Sequence, residues 1–229
     1  MPELTAREVA DRFDVSPTWI TVLARRGEFT GRQLADGTWL IDSDSLHDFA
    51  NSHQRGRGRN WAPLTAWSML MSLSGEPELA ATPQSTIARM RRRIEVSPAE
   101  VIARRVSTRV RWRRFTADDP ERLLLAVVRT GQTAAARVSA NLTAPTSIIQ
   151  GYAPPGGIAA LMEDHLLLEA PRGEVMLAEV QPEVPLSLPF APAGVIAADL
   201  AVSPGARERA AGLRLLDEMR AQWLAGGSR

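Results

Sequence analysis

The chain has 229 residues, 45% of them hydrophobic, and a formal net charge of +1, which suits two modest globular domains and excludes a disordered polyelectrolyte. It has no Cys, which excludes disulfides, zinc fingers and thiol nucleophiles. The small total charge hides a segregation into blocks: residues 1–54 hold five Arg against nine Asp or Glu, residues 55–115 thirteen Arg against four, and residues 116–229 nine Arg against thirteen. Every basic residue is Arg rather than Lys, which a GC-rich codon bias suffices to explain. No secretory signal or long apolar run stands in the sequence, so a cytoplasmic protein that makes no use of the membrane is expected.

The first element is a helix from about Thr5 to Phe13, with Val9 and Phe13 four apart and Thr5 and Glu8 at capping-box spacing. Asp14-Val15-Ser16 breaks it. Ser16-Pro17 then starts a second helix, about Pro17 to Arg26, which ends at Gly27. Ile20 and Leu23 would face inward, with Val15 packed under the turn, and Thr18, Trp19, Val22, Arg25 and Arg26 outward. Thr30 to Ile41 reads as a hairpin turning at Asp36-Gly37. Ser43 or Asp44 can cap a last short helix carrying Leu46 and Phe49.

These signals, carried by Leu4-Thr5 with Glu8-Val9-Ala10, Val15-Ser16, Arg25-Arg26-Gly27 and Trp39-Leu40-Ile41-Asp42, resemble the winged helix-turn-helix of the MerR and excisionase superfamily. The resemblance implies that the second helix enters the major groove and the wing touches the neighbouring backbone or minor groove. On that mapping Thr18, Trp19, Arg25 and Arg26 contact DNA, with Arg32 on the wing. The acidic balance of this segment is unusual for a phosphate-binding domain, so affinity must come from elsewhere.

Immediately downstream, Ser52 to Asn60 alternates Gly with Arg55, Arg57 and Arg59. It reads as a linker, or as an arm lying along phosphates or in the minor groove. Trp61 to Gly75 is a helix apolar nearly all round, hence buried. Helices follow from about Pro83 to Ile94, with Ile87 and Met90 inward, and from Ser97-Pro98, with Glu100 at capping-box spacing. Val106 to Phe115 alternates apolar residues with Arg109, Arg111 and Arg113. This predicts a strand with a guanidinium row on one face, same-face residues about 6–7 Å apart. Such a row fits a polyanion, or a charged edge that resists aggregation.

Beyond Thr116, Asp118-Asp119-Pro120 starts a turn or short helix, Leu123 to Val128 and Ser147 to Tyr152 are strand candidates, and Gln132 to Ala140 is an Ala-rich helix. Ile158 to Asp164 is a short helix. Leu166 to Glu169 and Glu174 to Val180 form a hairpin around Pro171-Arg172-Gly173. Pro182 to Pro192 is a connector, and Ala193 to Ala201 and Pro204 to Leu224 are terminal helices.

This region resembles the C-terminal domain of AbiEi-type antitoxins of the abortive-infection type IV family. The carrying stretches are Trp61-Ala62-Pro63-Leu64-Thr65-Ala66-Trp67 with Leu73-Ser74-Gly75, then Val127 to Gly131 with Ala134-Ala135-Ala136. Gly151-Tyr152 with Val175-Met176-Leu177 follows, then Ala191-Pro192 with Ala197 to Leu200 and Arg207 to Ala211. The pattern departs at Ser203-Pro204-Gly205-Ala206. The resemblance implies an operon repressor that binds its own promoter as double-stranded DNA and counteracts a nucleotidyltransferase-like toxin.

Catalytic chemistry has no visible foothold: His47, His53 and His165 are not at ligand spacing, and no nucleophile elbow, phosphate loop or dinucleotide fingerprint occurs. The expectation is therefore an α+β protein without catalytic residues, metal or cofactor. Residues 1–52 form a winged helix-turn-helix, 53–60 an Arg/Gly linker, and 61–229 a larger mixed domain. Its function would be transcriptional repression as the antitoxin of a toxin–antitoxin operon. The alternatives are an excisionase-like DNA-bending factor and an adaptor that grips an acidic protein or RNA through the arginine-rich middle.

Overall fold

The computed structural model describes residues 3–13, 15–43, 46, 61–77, 79, 82–139, 142 and 148–226. The chain is α+β and divides into two compact units, Met1–Gly58 and Arg59–Arg229. No described helix is long and apolar enough to cross a membrane.

In the first unit, strand β1 (Glu3–Thr5) runs into helix α1 (Ala6–Phe13), and helix α2 (Pro17–Arg25) follows after a three-residue gap. The expected capping box forms: the Thr5 amide and hydroxyl donate to Glu8 Oε2 at 2.7 and 2.8 Å, and the Glu8 amide donates to Thr5 Oγ1 at 3.2 Å. Ser16 caps α2 by accepting from the Trp19 amide, and Pro17 occupies its first turn. Strands β2 (Gly31–Gln33) and β3 (Trp39–Asp42) form the expected antiparallel hairpin, with Gly37 at φ 86° in its turn. β1 adds to the far side of β3, a pairing the sequence did not signal. Val9, Ala10, Ile20, Ala24, Phe29, Ile41 and Leu46 make the core. Val15, expected beneath the turn, is 37% exposed. Ala24 and Phe29 are buried in the core without having been expected there. The linker 53–60 lies outside the described residues, as does most of the last short helix expected near Phe49.

The second unit begins with α3 (Pro63–Leu73), buried on almost every side as its composition predicts. Helix α4 (Gln84–Val96) turns Ile87, Met90 and Ile94 inward. Helix α5 (Ala99–Val106) follows, but Glu100 closes no capping box; Pro98 holds the cap position, without a side-chain bond. The buried face of α5 is Ala99, Ile102, Ala103 and Val106, spaced as a helix requires. That spacing overrides the alternation expected of a strand from Val106 to Phe115. Instead, Val106 ends α5, a 3-10 turn spans Ser107–Arg109, and strand β4 covers Arg113–Thr116 alone.

Asp119 caps a one-turn helix, α6 (Pro120–Leu123), by accepting from the Arg122 amide. The strand expected at Leu123 to Val128 shrinks to β5 (Val128–Arg129), because Leu123 belongs to α6 and Leu125 is 76% exposed in the following turn. A 3-10 turn (Gly131–Ala134) and α7 (Ala135–Val138) replace the longer Ala-rich helix. β6 (Ile149–Ala153), α8 (Gly157–Asp164), β7 (Leu168–Glu169), β8 (Val175–Glu179), α9 (Ala193–Ala201) and α10 (Ala206–Gly226) complete the unit.

The sheet order is β5-β6-β8-β4-β7, with β6 and β8 parallel and the other neighbours antiparallel. Period-two alternation lets β6 and β8 serve two cores. Ile149, Ala153, Val175 and Leu177 join Phe115, Ile158 and Leu161 in one; Tyr152, Ala178 and Val180 join α3, α5 and α9 in the other. The expected hairpin between Leu166–Glu169 and Glu174–Val180 does not form, since β4 lies between β7 and β8. The turn wraps the end of β4: the Ala170 amide donates to Arg114 O at 3.0 Å, and Gly173 sits so close that a Cβ there would collide with the Phe115 backbone.

At the opposite edge, the connector covers β5. Phe190 bridges to Arg129 in parallel, the Arg129 amide donates to Pro189 O at 3.0 Å, and the Ala191 amide donates to Arg129 O at 2.9 Å. The Arg129 and Arg137 guanidiniums stand 4.2 and 5.2 Å from the Phe190 ring centroid.

Candidate nucleic-acid interface

The Ser16 cap fixes the angle at which α2 leaves the turn, and the burial of Ile20 and Ala24 fixes its rotation. Thr18, Trp19, Val22, Arg25 and Arg26 are consequently all exposed, Trp19 at 43%. Gly27, at φ 74°, ends the helix directly after the two arginines. These five side chains combine two cations, a hydroxyl and an apolar patch, the groups needed to meet phosphates, base edges and thymine methyls.

Arg32, on β2, reaches across β3 to Glu3. Its Nε and Nη2 donate to Glu3 Oε1 and Oε2 at 3.1 and 2.9 Å. This bidentate pairing holds the Glu3 carboxyl below its ordinary value and lifts Arg32 above its own. Arg32 is 63% exposed along its side chain, and a phosphate would have to displace Glu3 to engage those two donors.

The expected arginine row does not exist. Arg109 is 3% exposed and lies inside the second unit. Arg111 is exposed and precedes β4, and Arg113, on β4, donates through Nε and Nη2 to Glu169 at 3.1 and 3.0 Å. That ion pair lowers the Glu169 carboxyl, with Arg111 adding a smaller electrostatic pull. Arg109 therefore cannot touch phosphate in this fold, and Arg113 already has a carboxylate partner. Arg55, Arg57 and Arg59 lie outside the described residues. Comparison with protein-family models, with curated proteins and with solved structures found no match for the chain.

What Arg109 does instead is hold the core together. It follows α5 in the 3-10 turn and donates through Nη2 to Asp199 Oδ1 on α9 at 2.5 Å and to the Tyr152 hydroxyl on β6 at 2.6 Å. Its Nη1 donates to Val106 O at 3.1 Å. Tyr152 and Thr130 donate their hydroxyl protons to Asp199 Oδ2 at 2.6 and 2.7 Å. The guanidinium lies 4.8 Å from the Trp67 ring centroid, and Trp67 and Trp112 flank Tyr152 at 5.3 and 5.2 Å. Burial is the largest single influence and works against the Arg109 charge, but Asp199 and Tyr152 together outweigh it and the net shift is upward.

Sequence reasoning missed this network, although one signal pointed to it. Asp199 is the single charged residue of a helix, Ala193–Ala201, that is buried from Gly194 onward, and a carboxylate there requires a buried cation and hydroxyl donors.

The network has a titratable reporter, because Tyr152 is the only tyrosine in the chain. Burial pushes its phenol well above the ordinary 10.0; Arg109 opposes the rise and Asp199 adds to it. Unfolded chains lose this proton near 10.0, whereas the fold retains it. Above that pH the folded state binds more protons, so the stability present at lower pH declines as pH rises toward the folded-state value. In an alkaline titration, tyrosinate absorbance should stay silent until circular dichroism reports unfolding, and then rise with it. Tyrosinate appearing in the still-folded protein would contradict the burial.

Proposed function

We propose that the protein is a sequence-specific DNA-binding repressor. In this reading the first unit is a winged helix-turn-helix, with α2 as the helix that reads the major groove and the β2–β3 hairpin as the wing. The observation that carries it is α2 itself: a capped helix after a three-residue turn, presenting Thr18, Trp19, Val22, Arg25 and Arg26 to solvent, and followed by a hairpin. The resemblance of residues 61–223 to AbiEi-type antitoxins extends the reading to a cytoplasmic antitoxin that represses its own operon and neutralises a cognate toxin. An adaptor role through a β4 arginine row loses its main support, since Arg109 is internal and Arg113 is paired.

The test is a gel shift of the protein's own promoter against a random duplex of equal length. Wild type should prefer the promoter. The Arg25→Ala/Arg26→Ala variant should lose roughly ten- to hundredfold at the promoter, the scale of about 1–3 kcal/mol per base contact, and far less on random DNA. Equal affinity of wild type for both duplexes would refute the reading. Copurification from cells tests the second half: a toxin encoded beside the gene should come down with the intact chain.

A further inference from the structure

The β5 end of the second unit carries two cations on a single ring. The Arg129 and Arg137 guanidiniums stand 4.2 and 5.2 Å from the Phe190 centroid, so they are no farther apart than those two distances together allow. The connector fixes Arg129 firmly. Its main chain bonds to Pro189 and Ala191, and its Nε donates to Pro189 O at 3.2 Å. That leaves its two Nη groups for another acceptor. Arg137 reaches the same ring from the last turn of α7 and is exposed, whereas Arg129 and Phe190 are half-buried.

Neither guanidinium has a carboxylate partner among the described residues. The local sequence offers none: no Asp or Glu occurs from Arg122 to Met162, the stretch that holds both arginines, or from Val184 to Ala198, the stretch that holds Phe190. One cation is enough to cover the outer side of a half-buried ring, and a second adds repulsion to the first. Codon bias accounts for Arg in place of Lys, but not for two of them on one ring.

Beside the pair the surface is apolar. Pro189 is exposed and Leu188 is 55% exposed, directly ahead of Phe190. Arg among aromatic and aliphatic side chains, with acidic ones missing, is the composition of a protein-binding surface. A phosphate backbone would use the two charges and leave Leu188 and Pro189 uncovered. A carboxylate matches the guanidinium fork through two parallel hydrogen bonds, and apolar side chains between carboxylates would meet Leu188 and the ring. The connector already occupies the outer main-chain groups of β5, so recognition here falls to side chains and not to strand pairing.

We infer that Arg129, Arg137, Phe190 and Leu188 form a docking surface for an acidic protein segment, one whose carboxylates are interspersed with apolar side chains. This surface does not depend on the DNA-binding reading above.

The experiment follows the fluorescence anisotropy of a labelled peptide of Glu-Ser-Leu repeats with the full-length chain, beside the matching Gln-Ser-Leu peptide. Wild type should hold the Glu peptide at least about tenfold more tightly, and Arg129→Ala/Arg137→Ala should remove that preference. Arg137→Glu should weaken the Glu peptide and strengthen a Lys-Ser-Leu peptide. Leu188→Ser should weaken the Glu and Gln peptides by the same factor and leave the preference between them intact. Equal affinity of wild type for the Glu and Gln peptides, or an unchanged preference in the double Ala variant, would overturn the proposal. So would a double variant that loses a DNA duplex in place of the peptide, or one that loses wild-type self-association in sedimentation; those results would give the surface to a phosphate backbone or to a second copy of the chain. If the double variant does not fold, Arg137→Glu, at an exposed position, must still weaken the Glu peptide, or the proposal fails.

Discussion

Asp199→Ala should cost the second unit about 3–5 kcal/mol, the range found when one member of a buried ion pair is removed. The loss is large because the substitution strands the Arg109 charge and leaves the Tyr152 and Thr130 hydroxyls without their shared acceptor, all in a core where each residue is at most 3% exposed. Chemical denaturation followed by circular dichroism should show an earlier transition for the second unit, with the first unit unchanged as an internal reference. The double variant Arg109→Met/Asp199→Leu should recover much of the loss, since apolar side chains of similar size remove the stranded charge along with its partner. A single Asp199→Ala variant as stable as wild type would mean that the network contributes nothing to folding.

Gly212→Ala should destabilise the protein by about 1–3 kcal/mol, against the usual gain of roughly 0.8–1.0 kcal/mol when Ala replaces Gly inside a helix. Backbone proximity decides the sign. A Cβ at Gly212, on α10, would collide with the Ala201 amide nitrogen and stand 2.6 Å from Ala197 O and 2.7 Å from Leu200 C, all on α9. None of these atoms belongs to a side chain that can turn aside, so the two helices would have to separate. Gly194 makes the same kind of approach between α9 and α3, where a Cβ would stand 2.6 Å from Leu70 O. Gly226, at the end of α10, has open space around its missing Cβ and serves as the control. Gly226→Ala should be neutral or stabilising, so the thermal unfolding temperature should fall for Gly212→Ala but not for Gly226→Ala. Parallel shifts would show that α9 and α10 do not depend on close contact at Gly212.

The parts legible in the sequence were those set by local chemistry. Thr5 with Glu8, Ser16-Pro17, Asp36-Gly37 and Asp119-Pro120 each announced a cap or a turn, and each forms where expected. The apolar helices α3 and α9 were equally plain, and so was the exposed side of α2.

Two things were not legible. The first was strand order: Leu168 pairs with Thr116 and Val175 with Phe115, and neither partner is marked by anything near it in the chain. The second was the fate of the arginines. Val106 stands at once in the helical spacing of α5 and at the head of the two-residue alternation that runs to Phe115. Burial of Val106 on the α5 face settled the choice, which turned Arg109 inward toward a carboxylate ninety residues away. Rows of charge look alike on paper whether they meet solvent or a distant acid, because the acid is supplied by tertiary structure.

The segment Pro189–Ala191 lies along the outer side of β5 and occupies its hydrogen-bonding groups. Among the described residues, β7 at the other end of the sheet pairs with β4 alone. Stacking of these sheets side by side can consequently begin at one border but has no second border from which to continue. Two molecules could zip together through β7; a third would find no place to join, so fibre growth by this route is closed off.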